Sequence, residues 1–292
     1  MRASDRWRRL VRARFAEMER LAPGRGDVGP AFWNSGGRAR RYAAAVAATG
    51  GKDPFLTRLR RSVDRRSTVV DVGAGTGRIA LALAPKAREV VAVDPSSAML
   101  GILKREARRR DLGNVRCIEG RWQDVELSSE GDAAVTVDAV PPADVLICSY
   151  VLTLVDDPRP FVERMDAACR GRAFLYVHGL GTDALLDPFW RHFHGRPRKP
   201  LPTYLDAAAI VREIGAEPDI EVVEQPAMAR FKSLSQAVKA YRETFVLPDT
   251  PEVRAELRAL LGPWLVEDDG MLRPPIRTVP AAIVSWQGSG GP

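Results

Sequence analysis

At 292 residues, 45% of them hydrophobic, the chain can bury a full core, either as one large domain or as a domain with additions. No apolar run approaches the roughly 18 to 20 residues needed to span a bilayer, and the basic residues 1–9 have no apolar stretch behind them, so neither a membrane span nor a secretory signal is expected. The net charge of +7 invites a nucleic-acid partner, but arginine is dispersed among acids, as in residues 106–111, which reads as solvated helix faces rather than a binding stripe.

In chain order, residues 4–22 predict an amphipathic helix, with Trp7, Leu10, Val11, Phe15, Met18 and Leu21 at helical spacing and arginines between them. It is expected to pack on the main domain or on a second copy, which makes it the candidate element of a homodimer. A Gly/Pro-rich break at 23–30 precedes Ala31-Phe32-Trp33-Asn34-Ser35-Gly36-Gly37, which reads either as an active-site flap or as ordinary packing of its aromatics. Helices are then predicted at 38–48 and 54–63.

From Thr68 the pattern alternates strands (68–72, 89–93, 114–118, 144–149, 172–178) with helices (77–86, 96–110, 158–169), which specifies a parallel α/β sheet whose ligand lies at the carboxyl ends of the strands. Beyond His178 comes a loop to residue 202, then a helix at 204–215, a strand at 219–225, helices at 233–246 and 251–261, a Gly/Pro-rich turn and a last strand at 281–286; residues 288–292 are expected to fray. The three cysteines, Cys117, Cys148 and Cys169, form no disulfide or metal pattern and suit a reducing, cytoplasmic setting.

The stretch Thr68-Val69-Val70-Asp71-Val72-Gly73-Ala74-Gly75-Thr76-Gly77-Arg78 is a buried strand, a tight turn and a helix start, the geometry that brings backbone against a nucleotide-like ligand. A dinucleotide fingerprint, G-x-G-x-x-G, would have a third glycine where Arg78 stands, and Asp71 near the strand end would oppose a pyrophosphate but suits a cationic ligand.

Val70-Asp71-Val72-Gly73-Ala74-Gly75-Thr76-Gly77 resembles motif I of the class I S-adenosylmethionine-dependent methyltransferases, and Val91-Ala92-Val93-Asp94-Pro95-Ser96-Ser97-Ala98-Met99-Leu100 resembles their second motif. The resemblance covers about 54–178 and implies a Rossmann-like, seven-stranded, mostly parallel doubly wound α/β sheet. Residues 1–53 would form a helical extension, 54–178 the cofactor-binding core, and 179–288 the rest of the sheet with a helical insertion before the last strand and a substrate-shaping loop. It also implies S-adenosyl-L-methionine as cofactor. Asp71 and the backbone of Gly73, Ala74, Gly75 and Gly77 would hold its methionine end, Asp94 its ribose hydroxyls, and Pro95 and Met99 its adenine. The third motif departs from the family, since Arg121 follows Gly120 where an aspartate is common and arginine accepts no hydrogen bond. Gln123, Asp124 or backbone around Trp122 would then meet the adenine amine, while Trp122 either stacks on the ring or belongs to the core.

Cys148-Ser149-Tyr150 ends the fourth strand without the Asn/Asp-Pro-Pro-Tyr of amino-methylating DNA and protein enzymes and looks like the small-molecule branch (methyltransferase-type-11/25-like), with Ser149 placed against the cofactor. Methyl transfer from a sulfonium is an in-line displacement, and a base is required only for weakly acidic acceptors such as hydroxyls. His178, at the end of the fifth strand, is the candidate base, with a backbone-satisfied histidine as the structural alternative; Tyr150 is expected to line the same pocket. His192 and His194 form an H-x-H that with His178 imitates a metal site, but no metal is assigned. A lid is the preferred reading of that segment, with Arg196 or Arg198 meeting an acidic group. The leading reading is therefore methyl transfer to an O, N or S atom of a small molecule. The competing readings are an RNA (rRNA or tRNA) methyltransferase, a non-catalytic cofactor-binding protein and, more distantly, a nicotinamide dehydrogenase.

Overall fold

The computed structural model describes residues 1–22, 39–40, 43, 53–128, 139–180 and 184–290. Its strands are β1 (Thr68–Val72), β2 (Glu89–Asp94), β3 (Val115–Glu119), β4 (Ala143–Ser149), β5 (Cys169–His178), β6 (Asp219–Pro226), β7 (Val266–Asp268), β8 (Met271–Arg273) and β9 (Thr278–Gln287). Its main helices are α1 (Ala3–Leu21), α2 (Pro54–Arg60), α3 (Ala80–Leu83), α4 (Ser97–Arg109), α5 (Pro158–Ala167), α6 (Asp187–His194), α7 (Tyr204–Glu213), α8 (Leu234–Thr244) and α9 (Pro251–Trp264).

The seven-stranded sheet has the order β3-β2-β1-β4-β5-β9-β6; β3 to β5 are parallel and β9 runs antiparallel between β5 and β6. Successive strand residues feed opposite faces. Val70, Val72, Val91 and Leu146 join a core with α1, α5 and α7, while Val69, Val90 and Ile147 join one with α2, α3 and α4. Both faces of the central strands are covered, which is why β1 is buried along its whole length.

A third apolar cluster is built from α6, α8 and α9 around Trp190, Tyr241, Phe245, Leu257 and Leu261, and the carboxyl end of α1 packs on it through Met18 and Leu21. The sequence reading took residues 179–202 as loop, yet α6 lies within them. Pro188 opens its first turn and Gly195, at φ 66°, stops it. The expected Gly/Pro-rich turn is the β7–β8 hairpin, which turns at Asp269-Gly270 with both φ values positive. Residues 288–290, expected to fray, are tied back, with Gly288 N–H donating to the Gly171 carbonyl and Ser289 N–H to Asp166.

The apolar stripe of α1 is covered by the chain itself. Trp7 and Val11 are fully buried in the same core as α7, and Ser4 donates through both its backbone N–H and its hydroxyl to Glu213 at 2.9 and 2.6 Å. The stripe that made α1 the candidate dimer element is therefore used within one subunit. The predicted flap at 31–37 lies outside the described residues, as does all of the predicted helix at 38–48 except residues 39, 40 and 43.

Candidate active site

A cavity of about 820 Å³ opens at the carboxyl ends of β1, β2, β4 and β5, with the end of β6 on one flank. Its floor begins at the glycine turn. Gly73 has φ 71°, and a Cβ there would come within 2.1 Å of Val151, so only glycine permits this turn beside the β4 exit. A Cβ on Gly75 would meet nothing within 4 Å and would project into unfilled space at the cavity wall. Gly77, at φ 89°, lets α3 and α4 close together, since a Cβ would sit 2.7 Å from Leu103. It does the helix-packing work that a dinucleotide fold assigns to the position held here by Arg78. Ala74 and Gly77 shape the turn without lining the cavity.

Asp94, at the end of β2, is 8% exposed, and its two carboxylate oxygens accept the backbone N–H groups of Gly75 and Ser96, both at 2.8 Å. Burial pushes its pKa up and these two bonds pull it back. Each oxygen keeps a second lone pair, so the carboxylate can still accept a diol. Pro95 and Met99 line the cavity beside it. Asp71 does not line the cavity. Its carboxylate accepts the Ala80 N–H at 3.2 Å at the start of α3, and burial, opposed by Arg78 and that bond, pushes its pKa up to about 7. Its place is behind the glycine turn, holding the helix start.

The third-motif segment follows β3. Arg121, Gln123 and Asp124 are exposed and line the cavity. Trp122 is buried in the core, with its indole N–H donating to the Phe161 carbonyl at 3.3 Å, and it also lines the cavity.

The opposite end of the cavity is formed by Ser149, Tyr150, His178 and Gln225. Tyr150 takes φ 61°, a left-handed conformation costly for a side chain of its size, and its backbone N–H donates to the Tyr176 carbonyl at 2.8 Å. That turn sets its ring 4.5 Å from the His178 ring and 5.0 Å from the Tyr176 ring, centre to centre. Burial raises the Tyr150 phenol well above its ordinary range, so it remains a hydrogen-bond donor. The Cys148 thiol just before it is pushed up to about 12 by burial and is no nucleophile at neutral pH.

Two residues of this end were not singled out for these roles by the sequence reading. Arg78 donates to Ser149 Oγ at 2.7 Å and pairs with Asp53, the residue that caps α2, and both charges are largely buried. Gln225 accepts the Tyr176 hydroxyl at 3.2 Å. An arginine in a glycine turn signals a nearby carboxylate, but which one depends on the tertiary fold.

The lid segment and the H-x-H go elsewhere. No described residue of 184–202 lines the cavity; Arg196 approaches Glu17 at 4.0 Å and Arg198 stacks over Trp190 at 4.6 Å. His192 pairs with Glu256 and His194 contacts the Phe245 carbonyl, each at 2.8 Å, and no metal-holding group of side chains occurs among the described residues.

This sheet order, glycine turn and second-strand acid define a Rossmann-like methyltransferase fold. Residues 70–175 match the family model of a methyltransferase domain. The chain is 28% identical over 134 residues to the uncharacterized methyltransferase YcgJ of Bacillus subtilis (strain 168), covering 45% of this chain and 48% of that protein. It is also 28% identical over 163 residues to an uncharacterized protein of Haemophilus influenzae, covering 56% of each. The chain thus spans about half the length of these relatives. The crystal structure of YcgJ superposes with a TM-score of 0.52 at 17% identity, covering 80% of this chain and 98% of that one, which shows the shared fold. Residues 70–175 are thus similar to a methyltransferase domain, on the Rossmann-like fold that the two structures share.

Proposed function

We propose that this protein binds S-adenosylmethionine at the Asp94 end of the cavity and transfers its methyl group to an O, N or S atom of a small acceptor held at the Tyr150–His178 end. The observation that carries the reading is this two-ended cavity, with a diol-competent carboxylate at one end and a closely packed Tyr150–His178 pair at the other. The residues fit the cofactor: Gly75 leaves an unfilled face for a close approach, Asp94 retains lone pairs for the ribose, and Met99 and Trp122 provide apolar wall for the adenine. When bound, the cofactor supplies an electrophilic methyl group on sulfur. The chain's own residues then bind, orient and exclude water, and the His178 ring takes the acceptor's proton where that acceptor is a hydroxyl.

A small acceptor is favoured over RNA because many of the arginines are already paired, as in Arg12–Asp156, Arg8–Asp157 and Arg172–Asp219, which leaves no continuous basic stripe among the described residues. The reading includes a cytoplasmic location; no described helix is long and apolar enough to cross a membrane.

Calorimetric titration with S-adenosylmethionine, S-adenosylhomocysteine and NAD tests the cofactor. The first two should bind and NAD should not; NAD binding without sulfonium binding would sink the reading. Once an acceptor is found, His178→Ala should lower kcat by about 10²- to 10⁴-fold while S-adenosylhomocysteine affinity holds within about twofold. Unchanged turnover removes His178 as the base.

A further inference from the structure

The amino ends of the strands, opposite the cavity, gather most of the chain's excess positive charge. Three connections meet there. Residues 60–66 lead from α2 into β1, residues 86–89 from α3 into β2, and residues 104–116 from the last turns of α4 into β3. Arginines that look dispersed along the sequence are brought together by the sheet order, which sets β3, β2 and β1 side by side. The connections are also bonded to one another. Lys86 Nζ donates to the Arg60 carbonyl and the Arg88 guanidinium to Thr68 Oγ1, while the Arg88 N–H donates to the Ser67 carbonyl at 3.0 Å. Asn114 Nδ2 donates to the Ala84 and Ala87 carbonyls at 2.8 and 3.0 Å.

These three stretches hold twelve arginines and lysines against four acids, a net +8 where the whole chain is +7. Eleven of the twelve cations are exposed. Three of the four acids are engaged locally: Asp64 accepts the Arg66 N–H and the Ser67 hydroxyl, both at 2.9 Å, Glu106 meets Arg109 and Arg110, and Glu89 meets Arg116. Residues 129–138, which follow β3 in the sequence, contain three more acids and no cation, and counting all three here still leaves +5. The helix dipoles account for cations in the last turns of α2 and α4, but not for Arg65, Arg66, Lys86 and Arg88. Like charges gathered this closely repel one another, and a polyanion relieves that repulsion.

The composition of the patch selects among polyanions. Nine of the eleven exposed cations are arginine, whose planar fork takes two oxygens of one phosphate. None of these residues is aromatic, so unpaired bases would find no platform to stack on. None is an exposed large apolar side chain either, so a membrane surface would gain charge contacts without insertion. The regular phosphate rows of a double helix suit what is present. We infer that this face binds the phosphate backbone of a nucleic-acid duplex, without regard to base sequence or sugar. The cations form a compact patch rather than a stripe running to the cavity. Strand β1 reaches from Thr68 at the patch to Val72 at the glycine turn, about 15 Å at the ordinary rise per residue, so a duplex held here leaves the cavity open to its small acceptor.

The test is fluorescence anisotropy on the full chain with labelled RNA and DNA duplexes of about 20 base pairs and mixed sequence, from about 50 to about 200 mM salt. A single strand of the same sequence, polyglutamate, and phosphatidylcholine vesicles containing phosphatidylserine are the competing probes. The two duplexes should bind within about threefold of each other and more tightly than the other probes, with a log–log salt slope of about −3 to −5. Arg65→Ala/Arg66→Ala and Arg105→Ala/Arg108→Ala should each weaken duplex binding about three- to tenfold and flatten the slope by about 1 to 2, with the melting temperature nearly unchanged. Arg212→Ala/Arg254→Ala removes the same charge from α7 and α9 and should leave affinity and slope within about twofold of wild type. Tighter binding of the single strand, polyglutamate or the vesicles overturns the inference. So does the absence of duplex binding at the lowest salt, an unchanged affinity in both patch variants, or an equal loss in the α7 and α9 variant. The methyl-transfer reading is independent of all these outcomes.

Discussion

Arg78 and Asp53 form a largely buried ion pair that links the glycine turn after β1 to the cap of α2. Asp53 does two jobs at once: one carboxylate oxygen accepts the N–H groups of Phe55 and Leu56, and the other meets the guanidinium. Arg78 also reaches Ser149 at the end of β4 and lies 5.9 Å from the Tyr176 ring. One side chain thus fixes the relative positions of α2, the glycine turn, β4 and β5 at the cavity floor.

Removing one member of this pair should cost more than removing both. Arg78→Met leaves the Asp53 charge without its partner in a place where water reaches it poorly, and is expected to lower stability by about 1–3 kcal/mol. In Asp53→Asn/Arg78→Met the amide can still cap α2, so the double variant should recover much of that loss. Urea denaturation of the four proteins in the cycle measures this; strictly additive losses would show that the two side chains do not act together.

The glycines should separate into structural and ligand-facing positions. Gly77→Ala forces a Cβ against Leu81 and Leu103 at φ 89° and is expected to cost about 2–3 kcal/mol, read as a clear drop in melting temperature. Gly75→Ala meets no neighbouring atom, so its loss should be near 1 kcal/mol, the cost of φ 56° alone. Its Cβ nevertheless occupies the cavity wall, and S-adenosylhomocysteine affinity should fall at least about tenfold. Equal effects of the two substitutions on both readouts would remove the distinction.

These contrasts show what a sequence can and cannot reveal here. Strands β1 to β5 and the Asp94 turn were legible because they rest on local patterns: β-branched runs buried on both faces, and glycines spaced for a turn. The outer surroundings of the acceptor were less so. Gln225 enters the site only because β9 inserts antiparallel between β5 and β6, which brings the ends of two strands distant in sequence within reach. Tyr150 could be placed at a strand end, but its positive φ, which turns the ring onto His178, follows from tertiary packing. Helix α6 was missed although Pro188 and Gly195 bracket it, because its eight residues make only about two turns inside a proline-rich stretch that reads as loop. Its apolar partners, α8 and α9, lie some 40 to 70 residues further on.

Asp71 predicts a pH dependence of stability with a definite sign. Its pKa of about 7 in the fold exceeds the ordinary value of 3.8, so between those values the unfolded chain releases this proton first and the native state is progressively disfavoured as pH rises. The accumulated loss at pH 8 is about 4 kcal/mol at the ordinary free-energy value of a pKa unit. Asp71→Asn, which keeps an oxygen for the Ala80 N–H, should therefore match wild type near pH 4 and exceed it in melting temperature at pH 8. Because Asp71 stands behind the turn, S-adenosylhomocysteine affinity should change by no more than about threefold. A large loss of affinity at every pH would instead mean that its carboxylate reaches the ligand.

The last prediction concerns the N-terminal helix, which grips the rim of the cavity at three consecutive residues. The Trp7 indole N–H donates to the Val155 carbonyl at 3.0 Å, Arg12 holds Asp156, and Arg8 meets Asp157 at 2.9 Å, the residue just before α5. All three rim residues line the cavity, so α1 sets both their position and their charge. Exposed ion pairs contribute little to stability, and Arg8→Ala/Arg12→Ala should leave the melting temperature nearly unchanged. It strips the neutralising charge from two rim carboxylates, however, and frees the segment between β4 and α5. KM for a neutral acceptor should rise about three- to tenfold, and added salt should produce a smaller rise of the same kind in wild type by screening the pairs. Arg9→Ala, on the exposed side of the same helix, is the control and should change nothing. Trp7→Phe removes the bond to the Val155 carbonyl and also leaves a void where the buried indole packed, and should cost about 1–3 kcal/mol of stability together with a KM increase in the same direction. If the double arginine variant keeps the wild-type KM at low salt, α1 is a structural brace for the core and has no hold on the site.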